Sequence, residues 1–575
     1  MSGGCDRAEA PQQPLDRAKS ALAAGDGFGA ELALREMLDA GTPKVEIAAL
    51  MGEAELLQGQ LVEARHWLGS GQFSPADAGR GFHILGRLEM REGNLPAAGQ
   101  AFDRALQFAP ESARLWVDIG RLRYRGGEQA MAVDAAVKAV ALGPEEPDAL
   151  LFRGQLARDS QGAHAALPWF ERAMAAQPGH LDIQAEYAAT LGEAGKATKM
   201  LEVLRAITER NPGYQRAYFL QAVLAARSGN FSLAERLLAR AGSDVKASAA
   251  GSLLAGIVDL ENGNFASAAQ ELDRLHRQQP ENRRVRDLLA RALATAGNHR
   301  ELVHRFDKAA RLESASPYFR TLVARSHEAL GQRKEAASLL DLANRPQTGN
   351  LIALAPERDT ATIMPGNPAN ALDALTSVRS LISSGNPAGA VQAANRFLAS
   401  FPGSADALAL AGDAQLASRN VGAALGYYRQ SATIRQPWLL ARKRFAALQA
   451  VGRKEEAIAI LRNYLAGHPG AVEAAVVLAR VEHDRGNLPA SAALLDHALA
   501  AGAGSDPEIL ALRAVVAMRM RQRDVADSMA RRAMALQPGH PASVQAMALV
   551  GNGRLKTALL AKLGKSGGTA RIAMR

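Results

Sequence analysis

The chain has little of what most globular domains use to build a core. It contains 575 residues but a single cysteine, Cys5, so no disulfide can form within it. Aromatic residues make up only 5% of the chain while hydrophobic residues make up 48%, so much of the apolar content is alanine and leucine. Small apolar side chains of this kind suit the close packing of helices on helices. No apolar run reaches the roughly 20 residues that a membrane-spanning helix needs.

The distribution of charge does not indicate a nucleic-acid-binding surface. The formal net charge is +10, but it is spread over the whole length of the chain. A mild basic excess favours acidic partners, whereas nucleic-acid binding requires basic residues concentrated on one surface. We therefore expect protein partners with acidic or extended segments and no nucleic-acid partner.

Motifs that carry catalytic or metal chemistry are also missing. The twelve histidines stand singly, and His299 and His304 are five residues apart, which places them on different faces of a helix. No serine lies in a Gly-x-Ser-x-Gly elbow, and the glycine-rich residues 25–29 have no preceding strand to make a phosphate loop. We predict that the chain is not an enzyme and has no catalytic residues, cofactor or metal site.

What the sequence does contain is a 34-residue repeat. Small residues and prolines recur at this spacing in three consecutive copies: Gly86, Gly120 and Gly154; Ala98, Ala132 and Ala166; Ala105, Ala139 and Ala173; Pro110, Pro144 and Pro178. Phe102 and Phe170 share one position, where the middle copy has Ala136. A period of this length carried by small residues and a terminal proline predicts stacked helical hairpins. The small residues let two helices approach closely, and the proline ends the second helix.

This pattern resembles the tetratricopeptide repeat (TPR) family, which has Trp at position 4, Gly or Ala at 8, Ala at 20, an aromatic at 24, Ala at 27 and Pro at 32. Trp116 supplies the position-4 tryptophan. From residue 11 the frame runs through ten copies, and position 8 is always Gly or Ala: Ala18, Gly52, Gly86, Gly120, Gly154, Ala188, Ala222, Gly256, Ala290 and Ala324. The resemblance implies an all-α fold, a right-handed α-solenoid (superhelix) of about fifteen helix-turn-helix repeats.

The repeat frame also predicts the domain organisation. An N-terminal array occupies residues 11–343, and a C-terminal array with the same small-residue pattern occupies 371–540. Between them, the proline-rich residues 344–370 predict a linker, since four prolines in a short span preclude a continuing helix. Residues 541–563 predict capping helices, and the termini 1–10 and 564–575 predict disorder, the latter as a basic tail.

In the TPR family the concave groove is lined by first-helix positions 2, 5, 9, 12 and 13, and arginines and aromatic residues stand at or beside them here. Guanidinium groups can bind carboxylates or phosphates through two hydrogen bonds, and tyrosine can stack on a sugar or a peptide. An ordinary solvent-facing role for these arginines is the alternative interpretation. The candidate partner-binding residues are Arg80, His83, Arg87, Arg91, Arg114, Arg121, Tyr124, Arg125, Arg216, Tyr218, Phe219, Arg284, Arg291 and Arg325.

One known TPR binding mode is absent from these positions. The clamp that holds the C-terminal carboxylate of chaperones needs Lys at position 5 and Asn at position 9 of one repeat, followed by Asn in the next. The corresponding residues are His83 and Arg87, with Asp118 at position 6 of the next repeat. We do not predict binding of chaperone tails.

The surroundings of Cys5 leave two compartments open. Small residues precede it and a polar spacer follows, which resembles the end of a bacterial lipoprotein signal, although Ser2 stands where Leu is usual. In one interpretation Cys5 is incidental and the protein is cytoplasmic. In the other, Cys5 is a lipidation site that anchors the solenoid in the envelope, which is the one route to a membrane that we expect.

Together these features predict a non-enzymatic scaffold that binds protein partners through its groove. The layout resembles TPR lipoproteins of bacterial exopolysaccharide and exosortase (PEP-CTERM) systems, which implies an envelope assembly such as polysaccharide or protein export. Two alternatives remain open: a cytoplasmic TPR adaptor, and direct binding of an anionic or carbohydrate polymer. An aromatic ladder along the groove would favour the polymer, and only Tyr124, Tyr218, Phe219 and Tyr318 qualify for it.

Overall fold

The structure is a computed structural model that describes residues 13–312, 315–343, 371–537 and 540–551. All regular structure within these ranges is helical, which confirms the predicted all-α repeat fold. Several predictions concern residues outside these ranges: the N-terminal segment 1–10 with Cys5, the linker 344–370, residues 552–563 of the predicted cap and the tail 564–575.

The chain forms two compact units, residues 1–156 with 172–178 and residues 157–171 with 179–575. In the first unit, antiparallel helix pairs follow one another, and each helix packs on the next along the chain. Its helices are α1 (Pro14–Ala24), α2 (Gly27–Asp39), α3 (Lys44–Gln58), α4 (Leu61–Leu68), α5 (Ala78–Glu92), α6 (Leu95–Phe108), α7 (Ala113–Arg125) and α8 (Gln129–Leu142). The fifth pair, α9 (Pro147–Gln161) and α10 (Ala163–Ala176), contributes residues to both units.

The second unit continues the same alternation of first and second helices. Its helices up to the linker are α11 (Leu181–Glu193), α12 (Ala197–Arg210), α13 (Gln215–Arg227), α14 (Phe231–Arg240), α15 (Gly242–Ala247), α16 (Ala249–Asn262), α17 (Phe265–Gln278), α18 (Arg283–Thr295), α19 (His299–Arg311), α20 (Pro317–Ala329) and α21 (Arg333–Ala343). After the linker come α22 (Ala371–Ser383), α23 (Pro387–Ser400), α24 (Ala405–Ala417), α25 (Val421–Ile434), α26 (Trp438–Ala450), α27 (Lys454–Gly467), α28 (Val472–Asp484), α29 (Leu488–Ala500), α30 (Pro507–Arg519), α31 (Arg523–Leu536) and α32 (Pro541–Val550). A 3-10 turn, Ala503–Ser505, precedes α30.

The glycines at position 8 explain why each pair of helices packs closely. In four repeats, a Cβ added to this glycine would overlap the large side chain at position 24 of the same repeat. The pairs are Gly52 with Leu68, Gly86 with Phe102, Gly256 with Leu272 and Gly412 with Tyr428. The position-24 side chains are buried, and burying a residue of this size contributes about 1.5–3 kcal/mol.

In the fourth repeat, the space beside the position-8 glycine is filled by a side chain of the next repeat. Position 24 of the fourth repeat is the small Ala136, and the ring of Phe152 from the following repeat lies against Gly120 instead. A Cβ added to Gly120 would lie 2.6 Å from Cε1 of Phe152. A missing aromatic in one repeat is therefore compensated by an aromatic from its neighbour.

The seventh repeat departs from the simple hairpin. Its second helix stops at Arg240, and the backbone turns at Gly242, where φ is +86° and the short helix α15 begins. Glycine adopts this left-handed conformation without steric cost. A Cβ at residue 242 would also lie 2.6 Å from the side-chain amide nitrogen of Gln215. Both the backbone conformation and the lack of space therefore disfavour any residue larger than glycine here.

None of the helices in the described ranges combines the length and the apolar character that crossing a membrane requires.

Candidate functional site

The predicted residues of the third and fourth repeats come together around one buried carboxylate. Asp118, on α7, is only 8% exposed. Its Oδ2 lies 2.9 Å from Nε2 of His83 and 3.7 Å from Nε of Arg87, both on α5, and its Oδ1 accepts a hydrogen bond of 3.1 Å from Nη1 of Arg121. We call these four residues the Asp118 cluster.

The electrostatics of the cluster keep Asp118 ionised. Burial alone would raise the pKa of this carboxyl group, but the hydrogen bond from His83 and the charges of His83, Arg121 and Arg87 outweigh it. The result is a pKa of about 2 for Asp118. The carboxylate thus holds the cationic side chains of two successive first helices in place from below.

The arginines at position 13 have a different role from the one that we expected. Nη1 of Arg91 donates to the carbonyl of Leu56 at 2.7 Å, and Nη1 of Arg125 donates to the carbonyl of Met90 at 3.3 Å. Both carbonyls lie in the last turn of the first helix of the preceding repeat, where each also accepts the N–H of the glycine three residues later, Gly59 or Gly93. We call this contact the arginine cap.

The arginine cap recurs in the second unit. Arg227 donates to the carbonyl of Gly192 at 3.3 Å, across the same 35-residue separation. Arg519 makes a related contact at 2.9 Å, but to Nε2 of His483, which is the side chain at the end of the preceding first helix. Arg91 and Arg125 are therefore engaged in holding one repeat to the next.

Two further predicted arginines of the first unit form ion pairs at its surface. Arg80 lies 3.4 Å from Glu53, and Arg114 lies 2.8 Å from Glu146. The hydrogen bond to Glu146 raises the pKa of Arg114 above its usual value. Pairs this exposed contribute at most about 1 kcal/mol to stability.

A half-buried acid, Glu186, organises the predicted residues of the sixth and seventh repeats. Arg216 forms an ion pair with Glu186, which also accepts a hydrogen bond of 3.1 Å from Arg158. Burial opposes ionisation of Glu186, but the hydrogen bond and charge of Arg216 and the charge of Arg158 lower its pKa. Glu186 and Asp118 occupy the same repeat position, the sixth. An acidic residue at position 6, together with arginines in the adjacent repeats, is the sequence pattern that could have predicted both of these acid–arginine clusters.

The prediction that Tyr218 contacts a partner is wrong. Its side chain is only 4% exposed, and its hydroxyl accepts a hydrogen bond of 2.7 Å from Nη2 of Arg240, whose guanidinium lies over the ring. Tyr218 occupies position 4, which faces the packed side of the first helix. Phe219 is half-buried beside it, and Tyr124 is half-buried in the fourth repeat.

The remaining predicted residues stay separate. Arg291 pairs with Glu261 at 3.0 Å, and Arg325 pairs with Glu328 at 2.5 Å on its own helix. Arg284 is exposed. Among the predicted residues, the structure therefore brings His83, Arg87 and Arg121 together, whereas most of the other arginines form local pairs or caps.

Within the ranges that the structure describes, no group of three or more His, Cys, Asp or Glu side chains is placed to hold a metal ion. Cys5 lies outside these ranges.

Comparison with known proteins places the repeats in a family. Tetratricopeptide repeat family models match residues 190–245, 253–301, 375–437 and 448–516. No curated protein matches the chain. Similar solved structures include a tetratricopeptide repeat protein from Parabacteroides merdae, with 17% identity, a TM-score of 0.34, and coverage of 44% of this chain and 99% of that one.

Two other similar structures are PilF of Pseudomonas aeruginosa and YrrB, which is described as a TPR protein with an unusual peptide-binding site. PilF is 17% identical, with a TM-score of 0.32 and coverage of 37% of this chain and 98% of its own. YrrB is 22% identical, with a TM-score of 0.23 and coverage of 28% and 83%. At these TM-scores the likeness carries no argument about function. The family matches and the 34-residue frame of helix pairs nevertheless agree, and the chain contains tetratricopeptide repeats.

Proposed function

We propose that this protein is a scaffold that binds acidic, extended segments of partner proteins, and that the Asp118 cluster is a main contact site. Protein interaction is the general role of tetratricopeptide repeats. The observation that carries the finer proposal is the buried Asp118, which holds Arg87, Arg121 and His83 on two successive first helices.

The charges around the cluster favour an acidic ligand. Arg87, Arg91, Arg121 and Arg125 carry four positive charges, and the nearby carboxylates are Asp118 and Asp148, the latter 3.6 Å from Arg121. Together these four arginines and two carboxylates carry a net charge of +2. A carboxylate side chain of a partner would find a complementary surface there.

The geometry also supports binding without a large entropic cost. The side chains of Arg87 and Arg121 are each 34% exposed, so each guanidinium still faces solvent. Each is at the same time held from below by the ionised Asp118. Side chains fixed before binding lose less freedom when a ligand arrives, which strengthens association.

The test uses a fluorescein-labelled glutamate-rich decapeptide as a probe of acidic extended segments. Fluorescence anisotropy should show binding to the full chain that weakens with added salt, and a lysine-rich decapeptide should not bind. Arg87→Gln together with Arg121→Gln should weaken binding at least tenfold, because two charge-assisted contacts are lost.

The control must separate this site from general charge. Arg277→Gln together with Arg531→Gln removes the same number of charges from second helices, where both arginines pair with a carboxylate of their own helix. This variant should bind the probe like the wild type. Equal weakening in both double variants would show that only the net charge matters and would refute the site.

The envelope context is a separate proposal that depends on the sequence around Cys5. If Cys5 is lipidated, the protein expressed from its native locus should have a diacyl or triacyl mass and should be recovered with membranes. An unmodified chain in the soluble fraction would contradict this context and leave a cytoplasmic adaptor.

The polymer-binding alternative has less support. Of the four aromatic residues that it requires, Tyr218 is buried, and Tyr318 is exposed by 51%. Tyr318 stands in the tenth repeat, away in sequence from Tyr124 in the fourth and Phe219 in the seventh. These residues do not form an exposed ladder on successive repeats.

A further inference from the structure

One hairpin turn of the second unit differs from the others. The turns of the repeats commonly contain a glycine with positive φ that is exposed to solvent, such as Gly195, Gly229 and Gly263. Gly162, in the turn between α9 and α10, also has a positive φ of +94°, but it is buried. It stands one residue later in the repeat frame than those glycines.

The residue that covers Gly162 is another glycine, Gly467, the last residue of α27. A Cβ added to Gly162 would lie 2.6 Å from the carbonyl oxygen of Gly467. A Cβ added to Gly467 would lie 2.6 Å from the carbonyl oxygen of Gln161. Neither backbone could approach the other so closely if it carried a side chain.

A hydrogen bond joins the same two parts of the chain. The backbone N–H of Gln436, just before α26, donates to the carbonyl of Asp159 at 2.9 Å. Asp159 lies in the last turn of α9. The fifth-repeat turn and the segment from α26 to α27 therefore meet backbone to backbone.

We propose that Gly162 and Gly467 form a clasp that holds the fifth-repeat turn against the C-terminal array. Glycine at 467 is otherwise unfavourable, because it ends a helix in which alanine would be a better helix former. The repeat frame also requires no glycine at either position. The clasp is a conformational device of the second unit: closed while both residues are glycine, and opened by any side chain at either of them.

The chemistry of the clasp predicts how it responds to conditions. Both contacts are made by uncharged backbone groups, so closure should be insensitive to salt, unlike the binding of an acidic probe to the Asp118 cluster. The clasp lies in other repeats than that cluster, so the two proposals can succeed or fail independently.

The experiment is amide hydrogen exchange of the full chain, read at Gln436. Gly162→Ala should accelerate exchange of the Gln436 amide at least tenfold, although the two residues lie in different arrays. Gly229→Ala is the matched control, because Gly229 has a similar φ of +79° and open space around an added Cβ. The control imposes the same backbone strain and should leave Gln436 unchanged.

A second variant tests whether the effect of Gly162→Ala comes from loss of the clasp or from local unfolding at residue 162. Gly467→Ala places no residue in the left-handed region and improves helix propensity, so without a clasp it should be neutral or stabilising. We expect it to accelerate Gln436 exchange while the amides of α28 remain protected. Unchanged exchange at Gln436 in both Gly162→Ala and Gly467→Ala would overturn the proposal.

Discussion

Gly120 and Phe152 belong to different repeats, yet the ring of Phe152 occupies the space that a side chain at residue 120 would need. We predict that Gly120→Leu destabilises the chain by about 1–3 kcal/mol, because an overpacked interface must shift its backbone. Urea unfolding followed by circular dichroism measures the change. Gly99→Ala, whose added Cβ would have only Leu122 nearby at 3.8 Å, should be neutral or stabilising. Adding Phe152→Ala to Gly120→Leu should recover part of the loss, and an unaltered Gly120→Leu curve would contradict the packing.

Asp118 should make the stability of the first unit depend on pH. Its pKa is about 2 in the folded chain against an ordinary value of 3.8, so its contribution is present above pH 4 and is lost as the pH falls towards 2. At pH 7, Asp118→Asn should cost about 2 kcal/mol. Urea unfolding at pH 7 and at pH 2.5 should show a smaller difference between wild type and variant at the lower pH. A difference that does not change with pH would mean that the carboxylate charge is not the cause.

His540 should make α32 sensitive to pH in the same direction as Asp118, but in a higher pH range. Its Nδ1 accepts the N–H of Ala542 at 3.2 Å, so the ring caps the helix in its neutral form. Burial lowers the pKa of His540 below 6.5, although the charges of Glu508 and Asp506 oppose the shift. The folded state therefore binds this proton more weakly than the unfolded chain, and α32 should lose stability as the pH falls through 6.5.

Amide exchange in α32, corrected for the intrinsic pH dependence, checks this at pH 7.5 and 5.5. His540→Asn keeps a capping side chain without a titrating group. Its α32 should exchange with the same protection at both pH values. The same loss of protection in His540→Asn and wild type would show that another group titrates.

The buried charges of the twelfth and thirteenth repeats should act as a unit. Nζ of Lys443 lies 2.5 Å from Oδ2 of Asp413, and the hydroxyl of Tyr428 donates to Oδ1 of Asp413 at 2.7 Å. Lys443→Met should cost about 3–5 kcal/mol, because it leaves a buried carboxylate without its cation. The triple variant Lys443→Met, Asp413→Leu and Tyr428→Phe should unfold at a higher urea concentration than Lys443→Met alone. A triple variant that is less stable still would argue that the three groups stabilise the fold independently.

The repeat frame was predictable from sequence because its signal is local and repeated. Glycine or alanine at position 8 recurs at a fixed spacing, and the first helices begin close to the expected residues. Contacts between repeats carry no such signal. Nothing in the spacing of Gly120 indicates that Phe152, rather than Ala136, fills its space.

The sequence predicted which arginines belong to the candidate site, but not which carboxylate they contact. The sequence singled out Arg87 and Arg121, yet Asp118 entered only as a departure from the chaperone clamp. Charge pairing depends on side-chain directions that repeat numbering does not give. Tyr218 stands beside groove positions in the sequence, yet it is buried, because position 4 faces the packing interface.

The arginine cap has a consequence for synthesis of the chain. The carbonyl of Leu56 receives its donor from Arg91, and the carbonyl of Met90 receives its donor from Arg125, so each donor is translated after its acceptor. A nascent first helix therefore leaves the ribosome with only the backbone cap of its own glycine, Gly59 or Gly93. It acquires the arginine cap only after the ribosome has made the next first helix, and maturation of the array proceeds one repeat behind translation.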